Sequence, residues 1–169
     1  MHDQPKYRGY RSSKFFDDHR SVREPLEGTV ARGHLNEDEA FFTGSAEGVI
    51  LEDLPFPLDR QVLDRGRERF EIYCTPCHDR TGSGRGIVVQ RGFKQPRSFH
   101  IEEVRDMPVG YYFQVISSGF GVMPSYLAQI SPRDRWAITA YIRALQLSQN
   151  ATVNDVPEHE RAALEKKND

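Results

Sequence analysis

The chain has only two cysteines, one tryptophan and three methionines in 169 residues. Both cysteines fall in one short motif, so no disulfide is available to staple distant segments, whatever the compartment. No run of about 18 apolar residues exists, so no segment reads as a membrane-spanning helix. Neither sign of charge is in large excess, and a net charge of -2 makes no electrostatic case for nucleic-acid binding. Hydrophobic residues are 37% and charged residues 28% of the chain. That balance suits a core domain of about 90 residues with polar attachments better than one large globule. The opening Met1-His2-Asp3-Gln4-Pro5 lacks both the basic and the apolar region of a secretory leader.

What the chain does contain is Cys74-Thr75-Pro76-Cys77-His78. Two cysteines separated by two residues, with histidine directly after the second, make the attachment signature of a c-type haem. The spacing has a chemical reason. Thiols one turn apart add to the two vinyl groups of one haem, which brings the next imidazole beneath the iron. Cys74 and Cys77 are therefore covalent anchors for one haem c, and His78 is an axial iron ligand. Zinc would need two further Cys or His ligands at comparable spacing, and no other cysteine exists. A redox dithiol, which Pro76 would suit, follows a buried strand and opens a helix. Here a helical pattern precedes the motif and a glycine-rich loop follows, and the dithiol stays as the alternative. Haem attachment of this kind takes place outside the cytoplasmic membrane. The missing leader thus predicts a mature or truncated form, with any anchor on the part not given.

Residues 1–57 read as an extended N-terminal arm. Met1 to Asn36 holds no sustained period, and Tyr7, Tyr10, Phe15 and Phe16 stand among Arg and Lys. Such interleaving predicts an arm ordered against its own domain or a partner, with a frayed terminus as the alternative. Ala40 to Thr43 and Val49 to Leu51 flank a glycine-bounded turn, predicting a short hairpin near 40–51. Leu54-Pro55-Phe56-Pro57 is a stiff linker.

Residues 58–148 make the core domain. Asp59 is the N-cap of a helix whose inner face carries Leu63, Gly66, Phe70 and Tyr73. Gly66 costs about 1 kcal/mol inside a helix, which predicts a use such as a close helix crossing. Asp79 to Gly86 is a loop that matches no phosphate-binding fingerprint. Arg80, Arg85, Arg91, Lys94 and Arg97 form a solvated basic run, or alternatively contact propionates or an acidic partner. Ile101 to Asp106 makes a helical turn, and Pro108 opens a helix that Gly119 closes. Ser131 and Pro132 start a last helix with Trp136, Ala137, Ala140, Tyr141, Ala144 and Leu145 on its apolar face. Residues 149–169 are a polar C-terminal tail.

A haem iron held by His78 has a second axial position, and a thioether there favours electron transfer over oxygen chemistry. Met1 is terminal and Met107 adjoins a helix start, where packing explains it. Met123 sits in a glycine-flanked loop stiffened by Pro124, the geometry that presents one side chain to a metal. Met123 is therefore the predicted sixth ligand, with His100 or an open site as the alternatives.

Gly66, Phe70, the Cys74 to His78 motif, Met123-Pro124, Trp136 and Tyr141 together resemble class I mono-haem c-type cytochromes over about residues 58–148. That resemblance implies an all-α fold, a class I cytochrome c fold around one covalently bound haem, here with a long, mostly irregular arm. It also implies that Pro96 supplies the carbonyl accepting the proximal histidine's ring N–H. Met1 to Tyr7, Glu27 to Gly33, Phe56-Pro57 and Asp134-Arg135-Trp136-Ala137 resemble, more narrowly, the mono-haem cytochrome subunits of alternative complex III, a bacterial quinol-oxidising respiratory complex. This implies an electron-transfer subunit without substrate chemistry or catalytic residues of its own. The arm would bind the other subunits on the periplasmic face of the membrane, and a terminal oxidase or soluble cytochrome would accept the electron. Lipid anchoring through the leader is also implied, although no anchor cysteine is present here. A freestanding periplasmic carrier, an oxidase-associated cytochrome domain, a five-coordinate haem enzyme or gas sensor, and a thiol oxidoreductase are the competing expectations.

Overall fold

The computed structural model describes residues 4–165. Met1, weighed above as a ligand, and residues 166–169 of the tail lie outside them. Two compact units divide the chain, one ending at Glu37 and the other beginning at Asp38. The boundary thus falls inside the 1–57 segment that the sequence groups as one arm.

The first unit has no helix or paired strand among its described residues. It is held by local contacts around Ser13, which is buried and donates its N–H to the His19 carbonyl at 2.9 Å. Arg23 donates to both Asp18 oxygens and lies 4.2 Å above the Phe16 ring, which meets Phe15 edge to face. Tyr7, Tyr10, Phe15 and Leu26 remain exposed.

The second unit opens with a correction to the predicted hairpin. Ala40 to Thr43 is not a strand: Glu39–Thr43 is a short helix, α1. The Asp38 carboxylate caps the Phe41 N–H at 2.9 Å, and the left-handed Gly44 ends the helix by donating to Ala40 O. Local caps thus decide an apolar run too short for periodicity to classify. The hairpin pairs Ser45–Ala46 (β1) with Val49–Ile50 (β2) in antiparallel register. Its two turn residues, Glu47 and Gly48, both have positive φ, the conformation a tight two-residue connection needs.

α2 spans Arg60–Tyr73, with the Asp59 side chain accepting the Val62 N–H at 2.8 Å as its N-cap. α3 (Thr75–His78), α4 (Glu102–Arg105) and α5 (Val109–Ser118) follow; α5 runs from Pro108 to a Gly119 cap. α6 (Pro132–Asn150) is capped by Ser131 and extends past Leu147, and α7 is Glu158–Glu165.

α2 and α6 form the most extensive helix pair, and Gly66 is where they meet. A Cβ at Gly66 would fall on the Ala137 carbonyl, so the predicted close crossing is present. Val62 is buried with Gly66 and Phe70 on the same face of α2. α6 is buried more widely than its predicted stripe: Ile138, Thr139, Ile142, Gln146 and Arg135 are inside with Trp136, Ala137 and Ala140. Trp136 stacks on Phe113 at 4.3 Å and donates its indole N–H to the Phe41 carbonyl at 2.7 Å, joining α6 to both α5 and α1. Gly110 donates to the Leu51 carbonyl at 2.7 Å, laying the hairpin's second strand against α5. Gln146 donates to the Phe99 carbonyl and the Tyr112 hydroxyl, each at 2.8 Å. These bonds satisfy buried polar groups where an isolated one would destabilise the fold.

Candidate haem site

α2 delivers the motif directly. Its C-cap is Cys74, whose N–H reaches Phe70 O at 2.9 Å, and α3 starts at the next residue with Pro76 in its first turn. His78 N–H returns to Cys74 O at 2.9 Å, so Cys74, Cys77 and His78 share a single helical turn. Both thiols are free and half-buried. Burial, with a smaller push from Cys77, raises the Cys74 thiol to about 12. A reactive dithiol needs the opposite shift.

The His78 imidazole is neutral, because burial pushes its pKa down to about 4. It stacks on Phe99 at 4.6 Å and 14°, and its Nδ1 is buried without a hydrogen-bond partner. A buried polar atom with no partner calls for an explanation. A neutral imidazole beside two free thiols is a donor set suited to a covalently held haem.

The loop after the motif folds back on it. Asp79 has φ 57, and its carboxylate accepts from Thr81 N and Oγ1 at 2.7 Å, Ser83 N and Oγ, and Arg85 N at 2.9 Å. Burial pushes the Asp79 pKa upward, but these donors outweigh it and hold the carboxyl well below the usual range. Gly84, Gly86 and Val88 N–H groups then bond the His78, Cys77 and Pro76 carbonyls at 3.0, 3.0 and 3.1 Å. The last carbonyls of α3 are thereby satisfied and the motif is clamped.

On the other side of the sequence, Met123 sits in a tight turn. Its N–H and C=O bond Phe120 O and N at 2.9 and 3.0 Å. Gly119, at φ +80, lies under the returning chain, and a Cβ there would stand 2.5 Å from Met123 O. Met123 and Cys74 pack on the same core cluster around Phe70, Phe99 and Ile116. Phe120 and Val122 in this loop, and Ile87 and Phe93 after the motif, are left exposed. That is apolar surface a bound macrocycle would cover.

Residues 61–142 match the protein family described as cytochrome C oxidase, cbb3-type, subunit III. These residues are a cytochrome c domain. The match begins within α2 and ends within α6, so it holds Cys74, Cys77, His78 and Met123 and leaves out the first unit, α1 and the hairpin. No curated protein matches the chain. Among solved structures, a chain of the Kuenenia stuttgartiensis reducing HAO-like protein complex is similar, at 23% identity and a TM-score of 0.48. The similarity covers 63% of this chain and 54% of that one, so the match spans about half the length of the structure.

Within the cytochrome c domain, two sequence expectations meet a different local arrangement. Pro96 makes no hydrogen bond to His78, whose Nδ1 has no partner. The Pro96 carbonyl packs against Gly84 instead, 2.5 Å from where a Cβ would stand. His100, the alternative sixth ligand, has its Nε2 2.6 Å from the Thr81 carbonyl, in the loop that follows His78. Met107 packs on the core and its carbonyl accepts from Arg143. Sequence reasoning placed Asp79 only as the first residue of a loop. Its position two residues before Thr81 and four before Ser83, among glycines, was the available signal, since Asp side chains bond backbone two residues on.

Proposed function

We propose that this chain is an electron-transfer subunit carrying one haem c in a membrane quinol-oxidising respiratory complex of the alternative complex III type. The observation that carries the electron-transfer reading is His78, its Nδ1 buried without a partner, on the same turn as two free thiols, with Met123 held in a braced loop on the same core. A cytochrome c domain implies one-electron transfer, and the bound haem supplies an iron couple for it.

The chain's own residues bind and tune. Cys74 and Cys77 would hold the haem covalently, and His78 and Met123 would ligate its iron. A ligand set closed by a thioether leaves no open position for substrate and favours the reduced iron. The protein therefore does no substrate chemistry of its own. Phe99 flanks the imidazole at 4.6 Å, and the Asp79 loop holds the motif's backbone. The Gly66 crossing fixes α2, and with it the motif, on α6.

Placement in a complex rests on the first unit, which lies outside the cytochrome c domain and exposes Tyr7, Tyr10 and Phe15 among basic residues. Aromatic and arginine side chains are the anchors of protein interfaces. In this reading the unit binds other subunits on the periplasmic face, and the electron leaves to a terminal oxidase or soluble cytochrome. No helix among the described residues is long and apolar enough to cross a membrane, so membrane association would come from those subunits or from a lipid anchor on a leader. The family match favours a second reading, an oxidase-associated cytochrome domain.

Purification of the tagged chain from detergent-solubilised native membranes separates the two. Comigration with quinol:acceptor activity that resists oxidase inhibitors supports the first reading. Comigration with oxygen-reducing activity supports the second, and recovery of a free monomer overturns both.

A further inference from the structure

Arg135 is a buried cation with no counter-ion among the described residues. It is 3% exposed, and among the described residues no carboxylate pairs with it. Its Nε has no hydrogen-bond partner, and its Nη1 donates to Ser117 Oγ. The guanidinium lies 4.6 Å over the Phe113 ring. A guanidinium out of water without an acid beside it is costly, so something else must favour it there. Both contacts lie on α5, at its fifth residue Phe113 and its penultimate residue Ser117. The negative end of the helix dipole and the ring face together take the place of a carboxylate.

That helix end carries the Met123 loop. Gly119 N–H bonds Val115 O at 2.8 Å, Tyr126 N–H bonds Ile116 O at 3.0 Å, and Ser125 Oγ donates to Ser117 O. Three successive terminal carbonyls thus clasp the loop on both sides of Met123. Arg135 belongs to α6, one residue before Trp136 and two before Ala137, where Gly66 brings in the helix that delivers His78.

We infer that Arg135 is a positioning residue for the distal ligand: through Ser117 it registers the Met123 loop against the α2–α6 frame that holds His78. This rests on the reading of Met123 as the sixth ligand. Removing the guanidinium leaves the Ser117 hydroxyl only its bond to the Phe113 carbonyl, at 2.6 Å, and loosens the clasp, so the loop opens more often while the helices stay paired.

The test uses the haem-loaded full chain, oxidised, as wild type, Arg135→Gln, Arg135→Lys and Ser125→Ala. The readouts are the far-red sulfur–iron band, imidazole binding and far-UV circular dichroism. Exogenous imidazole binds only the open state, so its apparent affinity follows the open fraction. Losing one charge-assisted hydrogen bond corresponds to roughly a tenfold change. Arg135→Gln is expected to bind imidazole about tenfold more tightly, and its far-red band should melt below its unfolding temperature. Arg135→Lys should fall between it and wild type. Ser125→Ala, which leaves Arg135 and Ser117 in place and removes one clasp bond together with the acceptor for the Leu127 N–H, should shift affinity in the same direction and tests the relay should Arg135→Gln fail to fold. Folded variants whose imidazole affinity stays within about twofold of wild type, or whose band and helix signal melt together, overturn the inference. A wild type with no far-red band overturns the Met123 reading instead, and this relay with it.

Discussion

Gly66 and Ala137 are in backbone contact: the space a side chain would need at Gly66 is filled by the Ala137 carbonyl. Gly66→Ala must therefore separate α2 from α6 or tilt one of them. Overpacking of this kind costs about 1–3 kcal/mol, despite alanine's better helix propensity. Thermal unfolding followed by circular dichroism should show a midpoint several degrees lower, and an unchanged or higher midpoint would refute the crossing.

Trp136 ties the core to the segment before the cytochrome c domain through its bond to the Phe41 carbonyl. Trp136→Phe keeps a ring against Phe113 but leaves that carbonyl without its donor, at a cost of about 1–3 kcal/mol. Limited proteolysis should then cut between Asp38 and Pro57 faster than in wild type. Equal cutting would mean that the indole N–H does not hold the segment.

The Arg65 pair with Asp134, at 2.7 and 3.0 Å, links the same two helices at their polar edge. The Arg65 hydrogen bond lowers the Asp134 pKa, against a smaller opposing push from burial. A carboxyl depressed in the folded state contributes stability above its unfolded pKa, about 3.9, and loses it as pH falls through the folded value. Urea unfolding between pH 7 and pH 2 should show Asp134→Asn less stable at pH 7 and the gap to wild type closing below about pH 4. Half-exposure of Arg65 keeps the effect modest and salt-sensitive. A gap that persists at pH 2 would assign the loss to packing instead.

Asp79 organises the loop behind the motif through side-chain bonds to three residues. Asp79→Ala should raise hydrogen exchange at the Thr81, Ser83 and Arg85 amides by about tenfold or more while exchange in α6 is unchanged. Retained protection at those amides would show that the loop folds without the carboxylate.

Much of this architecture was readable locally. Asp59, Ser131-Pro132, Pro108 and Gly119 mark helix ends because capping is chemistry between neighbours. That the chain turns at Cys74 to His78 and again at Gly119 to Met123 was readable for the same local reason. Ala40 to Thr43 was not, since three apolar residues and a threonine fit a strand or one helical turn until Asp38 and Gly44 are seen to cap it. The burial of Arg135 was not legible, because it comes from the approach of α5. Pro96 depended on how a loop of variable length returns to His78, a distance that sequence does not encode.

The central claim, one haem held covalently by Cys74 and Cys77 and ligated by His78 and Met123, is tested most directly by optical spectra of the purified chain, oxidised and then dithionite-reduced, beside Met123→Ala. The account predicts a sharp low-spin c-type α-band, colour that stays with the denatured polypeptide, and a far-red sulfur–iron band lost in Met123→Ala. A high-spin wild type that binds carbon monoxide readily would contradict Met123 ligation, and a colourless chain would return Cys74 and Cys77 to dithiol chemistry.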